Sequence, residues 1–119
     1  SAVSGGALWV LGGFSGSARG DVWSSADGIA WTLQAAAGFP PRSNFPVADY
    51  NGRFWIPGGY TFTYANDVWS SVNGAAWIQE TASAAFPVRA GHRALTFNSK
   101  IWVIAGYDGA LKNDVWYSP

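Results

Sequence analysis

Residues 21–32 read DVWSSADGIAWT, residues 67–78 read DVWSSVNGAAWI, and residues 114–119 open the phrase again as DVWYSP. Between 21–34 and 67–80, eight of fourteen aligned residues are identical. A phrase returning at a fixed interval marks a repeat architecture, in which one supersecondary unit is written several times and each copy buries its apolar face against its neighbours. The register extends well beyond the phrase. Trp9, Trp55 and Trp102 are 46 and 47 residues apart, as are Asp21, Asp67 and Asp114, and Trp23, Trp69 and Trp116. Phe14, Tyr60 and Tyr107 each stand seven residues before the aspartate, just after Gly12–Gly13, Gly58–Gly59 and Ala105–Gly106.

Each unit resolves into short strands. NFPVADY (44–50) and HRALTF (92–97) run into Asn51–Gly52 and Asn98–Ser99, pairs that tolerate positive φ and so suit a tight two-residue hairpin. LWVLGG (8–13), FWIPGG (54–59) and IWVIAG (101–106) are the second strands, and Pro57 predicts a bulge or an early end to the ladder there. DVWSS or DVWYS is the third strand. Asp27–Gly28 and Asn73–Gly74 predict further hairpins into fourth strands IAWTLQ (29–34) and AAWIQE (75–80). No stretch has helical period with caps, so the class is all-β, with four antiparallel strands per unit.

Composition agrees and excludes several functions. Seven Lys plus Arg against seven Asp plus Glu leave no basic field for nucleic acid. Charged residues are 12% and aromatic residues 17%, with 15 glycines, which suits short buried strands and tight turns rather than disorder. Without cysteine there is no disulfide, thiolate metal site or catalytic thiol, and the compartment is left open. No apolar run reaches the ~20 residues of a membrane-spanning helix, and SAVSGGALWV lacks the basic and apolar regions of a signal peptide. Such an abrupt opening suits a processed or excised product.

The paired glycines, the aromatic after them and the spaced tryptophans resemble kelch repeats over nearly the whole chain. The matching positions are Gly12–Gly13, Gly58–Gly59 and Gly106, then Trp31 and Trp77, then Arg42 and Arg89 with His92. Phe45 stands where His92 would align, and Ala105 replaces the first glycine of its pair. The resemblance implies a β-propeller arc of four-stranded antiparallel blades running from an innermost strand to the rim. Blade 1 spans 1–34, blade 2 spans 43–80, and 90–119 is an incomplete third blade. Kelch rings hold six or seven blades. An open arc would leave several hundred Å² of apolar surface uncovered per face, forfeiting on the order of 10 kcal/mol at ~25 cal/mol per Å². A homodimer closing a six-bladed ring is therefore expected. A longer chain carrying the other blades, or a trimer, are the competing assemblies.

Candidate chemistry is sparse. His92 is the only histidine, which removes any His pair or triplet as a metal site within one chain; its expected role is structural, bonding a carbonyl or an aspartate near an inner strand. Arg42 and Arg89 recur at one position, where a guanidinium fork can satisfy carbonyls between blades or face the channel mouth. Asp21, Asp67 and Asp114 are read as acceptors for loop N–H groups at the start of each third strand. The 108–114 stretch lacks the ligand spacing and terminal Glu of a calcium loop, and no serine sits in a nucleophile elbow. Trp23, Trp31, Trp69, Trp77 and Trp116 are assigned to packing between blades. SGSARG (15–20), TFTYAN (61–66) and DGALKN (108–113) differ between copies although their flanks agree, and varied loops on a repeated scaffold are where specificity is placed. Arg19, Phe62, Tyr64 and Lys112 are the candidate contact residues there, with Arg42, Arg89 and His92 at the channel mouth.

These readings point to a non-enzymatic binding or scaffold module, self-associating and recognising a protein or a glycan, with no cofactor, metal, nucleic acid or membrane implied. The alternatives are a lectin-like or glycan-active enzyme propeller, related to kelch enzymes such as galactose oxidase, and a fragment whose only activity is assembly. The absence of Cys and the single His argue against a copper-radical site.

Overall fold

A computed structural model describes residues 1–119 and contains eleven strands and no helix, hence none long and apolar enough to cross a membrane. The strands are β1 (Ala2–Ser4), β2 (Ala7–Phe14), β3 (Ala18–Ser25), β4 (Thr32–Ala35), β5 (Ala48–Tyr50), β6 (Arg53–Tyr60), β7 (Tyr64–Ser71), β8 (Ile78–Thr81), β9 (Arg93–Phe97), β10 (Lys100–Tyr107) and β11 (Leu111–Tyr117). They form three antiparallel meanders: β1-β2-β3-β4, β5-β6-β7-β8, and the three-stranded β9-β10-β11.

The tight turns fall where the sequence puts them. Asn51 and Gly52 take φ of 52° and 69°, and Asn98 and Ser99 take 50° and 56°. This is the left-handed pair that matches the twist of two adjacent strands. The bulge occurs in all three sheets, between Leu11 and Gly13, Pro57 and Gly59, and Ile104 and Gly106. Its cause is therefore the positive-φ residue between each pair, namely Gly12, Gly58 and Ala105, and not Pro57, which still pairs with Val68.

Two expectations need correcting. Asp27–Gly28 and Asn73–Gly74 do not make two-residue hairpins, because six residues separate β3 from β4 and β7 from β8. Asp27 Oδ1 accepts from the N–H groups of Ile29 and Ala30, Asn73 Oδ1 from those of Ala75 and Ala76, and Ser25 and Ser71 accept from Gly28 and Gly74. These side-chain bonds stand in for ladder bonds, so Trp31 and Trp77 lie in the connection. The inner strands are also shorter than the sequence suggests: residues 44–47 and His92 belong to the segments leading into β5 and β9.

The sheets pack side by side with their first strands adjacent. Tyr50 donates its hydroxyl proton to Ser99 O (2.9 Å) and Thr96 to Asp49 O (2.7 Å), tying the inner strands of the second and third sheets. Between the first and second sheets lies a core of Leu11, Val22, Phe39 and Ile56, with Trp9, Phe45, Trp69 and Trp77 packed on it. Phe39 meets Trp77 edge-to-face at 5.0 Å and Phe45 at 5.6 Å.

Candidate binding face

The face is built by the segments that carry the chain from one sheet to the next. Arg42 follows β4. Its N–H donates to Arg19 O (2.9 Å) and its carbonyl accepts from Gly13 N–H (3.0 Å), so its backbone belongs to the first sheet. Its side chain reaches into the second sheet: Nη1 donates to Gly58 O (2.9 Å) and Asp67 Oδ1 (2.8 Å), and Nη2 to Asp67 Oδ2 (2.8 Å). Arg89 repeats this between the second and third sheets, bonded through its backbone to Ala65 and Gly59 and through its guanidinium to Ala105 O (2.7 Å) and Asp114 (2.7 Å to each oxygen). Both arginines are fully buried. Guanidinium is suited to this because its planar fork matches a carboxylate and has donors left for a carbonyl.

Asp67 and Asp114 are set by these staples and not by loop N–H groups. Trp69 and Trp116 donate their indole N–H to the same carboxylates at 2.8 and 2.7 Å. Burial pushes Asp67 up, but the bonds from Arg42 and Trp69 outweigh it and hold the carboxyl below its ordinary range. Bonds from Arg89 and Trp116 hold Asp114 well below it. Asp21 has only the Trp23 indole (2.8 Å).

His92 plugs the second joint. Its Nε2 lies 2.8 Å from Pro57 O, and because a carbonyl only accepts, Nε2 carries the proton; Nδ1 is buried without a partner. Burial lowers its pKa to about 4, and the charges of Arg89 and Arg93 act in the same direction. A Cβ on Gly58 would come within 3.3 Å of the imidazole, while one on Gly12 would come within 3.1 Å of the Phe45 ring. His92 and Phe45 thus occupy equivalent seats, as their alignment implies.

Arg42, Arg89 and His92 are consequently inside the joints, out of reach of a surface ligand. The segments they anchor, with the β2–β3, β6–β7 and β10–β11 hairpins, form one face. Tyr60 pairs across its hairpin with Tyr64, their rings 5.3 Å apart, and Tyr64 meets Tyr107 of the next hairpin at 5.8 Å, both edge-to-face. Loss of solvent, then Tyr107, Tyr60 and Asp108, raise the pKa of the Tyr64 phenol, so it remains a donor at neutral pH. A depression of about 250 Å³ lies over these rings beside Asn44 and Gly91; a second, of about 470 Å³, shares Asn44 and Tyr60 and continues to Phe14 and Phe62. Phe62 is 81% exposed at the tip of its hairpin, with φ of 71°. The sibling tips carry Gly16 and Gly109 at φ of 82° and 106°.

Of the four loop residues singled out in the sequence, Phe62 and Tyr64 line this face. Arg19 and Lys112 sit on the strands that leave it and are engaged locally, Arg19 with Ser15 (2.7 Å) and Lys112 with Asp108 (2.7 Å). Sequence reasoning misses Tyr60, Tyr107 and Asn44 as face residues. Their signal is the recurrent aromatic at Phe14, Tyr60 and Tyr107, which in the sequence alone serves only to mark register. No group of three or more His, Cys, Asp or Glu side chains comes together. Comparison of the chain with protein-family models and with curated proteins finds no match in either.

Proposed function

We propose that the chain is a kelch-type propeller arc acting as a non-enzymatic recognition module, with the tyrosine-lined hairpin face as its binding surface. Phe62 carries the reading. A bulky side chain at positive φ costs of order 1 kcal/mol or more, and a large apolar ring held in water gains nothing for the fold, while the sibling tips use glycine. Strain kept at an exposed aromatic supports a role in contact. Rings with phenol donors, beside an exposed Asn44 and with few charges, suit a glycan, whose C–H faces pack on aromatic rings and whose hydroxyls bond phenols. A glycan array tests this. Binding to a defined glycan that is lost in Phe62→Gly, a variant expected to fold at least as stably, supports the reading; no bound glycan moves it to a protein partner.

In this reading the three sheets are blades and a second copy closes a six-bladed ring. Both end faces favour a covering partner: Val3, Leu8, Val10 and Leu33 are exposed on the first sheet, and Leu95, Phe97, Val115 and Tyr117 on the third. Light scattering should give twice 12.7 kDa; a monomer at micromolar concentration contradicts the ring.

A further inference from the structure

The two depressions on the tyrosine face are one site written twice. Each lies over a joint between sheets, on a floor made by a single antiparallel bridge. Ser43 and Tyr60 exchange N–H···O bonds of 3.0 and 2.9 Å at the first joint, and Ala90 and Tyr107 exchange two of 2.9 Å at the second. The next residue is left-handed in both, with φ of 52° at Asn44 and 65° at Gly91, and the Gly91 N–H donates to Asn44 O (2.8 Å), joining the two floors. The walls follow the repeat. The first depression is lined by Phe14 and Ala18 of one hairpin and Tyr60 of the next, the second by Tyr60 and Tyr64 of one hairpin and Tyr107 of the next. Tyr60 and Asn44 serve both.

The copies differ in size and in chemistry. Ala18 pairs with Phe14 where Tyr64 pairs with Tyr60, and the depression beside the alanine is the larger, about 470 Å³ against about 250 Å³. Phe14 and Phe62 give the larger one rings without a hydroxyl, whereas the smaller one has three phenols. Tyr50 donates its hydroxyl proton to Ser99 O (2.9 Å), but those of Tyr60, Tyr64 and Tyr107 find no acceptor in the chain. The smaller depression is below the ~300 Å³ lower end of small-molecule sites, so it is part of a longer groove and not a pocket of its own. No Asp, Glu, Lys or Arg lines either one, and a charged group entering would lose its hydration with no counter-charge to replace it.

We infer that the ligand is a neutral oligosaccharide held by two consecutive sugar residues, one over each joint with Tyr60 between them, a step that rests on the glycan reading of this face. The residue over the second joint bonds the phenols of Tyr64 and Tyr107 through its hydroxyls. The residue over the first packs a C–H face on Phe14 and Phe62, and its bulkier substituents fit the space that Ala18 leaves. Both joints lie between sheets of one chain, so neither subsite needs a second copy.

The probes are lactose, cellobiose, N-acetyllactosamine and chitobiose, their component monosaccharides, and digalacturonic acid as the acidic control, each titrated into the chain and followed by methyl NMR. At least one neutral disaccharide should shift the Ala18 and Ala90 methyl resonances together, with one dissociation constant at least about tenfold below those of its monosaccharides, because the second residue binds at high effective concentration. Digalacturonic acid should shift neither. Ala18→Tyr, which copies the second joint into the first, should weaken that disaccharide at least tenfold while the Ala90 methyl still responds. A disaccharide that shifts one methyl only, binds no tighter than its monosaccharides, or keeps its affinity in Ala18→Tyr overturns the two-subsite proposal and leaves the glycan reading standing, as does equal binding of digalacturonic acid. Silence from every sugar overturns both.

Discussion

The two joints share a backbone scheme and differ in what fills it. In both, an arginine bonded through its main chain to one sheet sends its guanidinium to an aspartate and a bulge carbonyl of the next. At the first, the apolar Phe45 covers Gly12; at the second, His92 covers Gly58 with one bonded and one orphaned nitrogen. The polar staple is common to both, and the plug varies. Register between sheets is thus set by directional bonds, which demand one geometry, while the covering group need only have the right shape.

The largest expected effect comes from breaking a staple. Arg42→Met leaves Asp67 half-buried without its counter-charge and should cost about 3–5 kcal/mol in chemical denaturation. Arg89→Met should cost somewhat less, because Asp114 keeps more contact with water. Next is the plug. His92 binds a proton near pH 6.5 when unfolded and only near pH 4 when folded, so between those values the unfolded chain holds more protons and stability falls as pH falls. The loss should total about 3 kcal/mol on going from pH 7 to 4, because each tenfold difference in proton affinity between the two states is worth about 1.4 kcal/mol. His92→Phe, which copies the first joint, should remove the His92 share of that slope, leaving only the shallower fall below about pH 5 that the depressed Asp67 and Asp114 carboxyls contribute, while changing stability at pH 7.5 by less than about 1 kcal/mol. Smaller still is Ala105→Gly. Ala105 sits at φ of 58° where the other two sheets have glycine, so the substitution should stabilise by about 1 kcal/mol in the same assay. Least affected is Asp21→Asn. Asp21 has no arginine partner and the amide still accepts from Trp23, so the change should stay within about 0.5 kcal/mol, well below that of Asp67→Asn.

Much of the architecture was legible because the repeat reports on itself. The Trp9, Trp55 and Trp102 register holds down to a single bond: each indole donates to the carbonyl five residues earlier, at Ser4, Tyr50 and Phe97. Asn51–Gly52 announces its turn because few pairs tolerate two positive φ values. Asp27–Gly28 misleads for the same reason, since an aspartate can instead cap backbone N–H groups and widen the loop, and composition alone does not separate the two uses. The staples are hidden in the sequence because neither partner's neighbours point to the other. Their signal is the constant interval, 25 residues from Arg42 to Asp67 and 25 from Arg89 to Asp114. At the binding face, the varied loops point to Phe62 and Tyr64, whereas the convergence of Tyr107 on Tyr64 depends on sheet packing that no local pattern encodes.

A guanidinium–carboxylate pair built on a buried arginine locks each sheet to the next. A double-mutant cycle on Arg42 and Asp67, using Arg42→Met, Asp67→Asn and the double variant in chemical denaturation, tests it most directly. The expected coupling energy is at least about 2 kcal/mol, within the range for directly contacting residues. A coupling below about 0.5 kcal/mol, with the two substitutions simply additive, would contradict it.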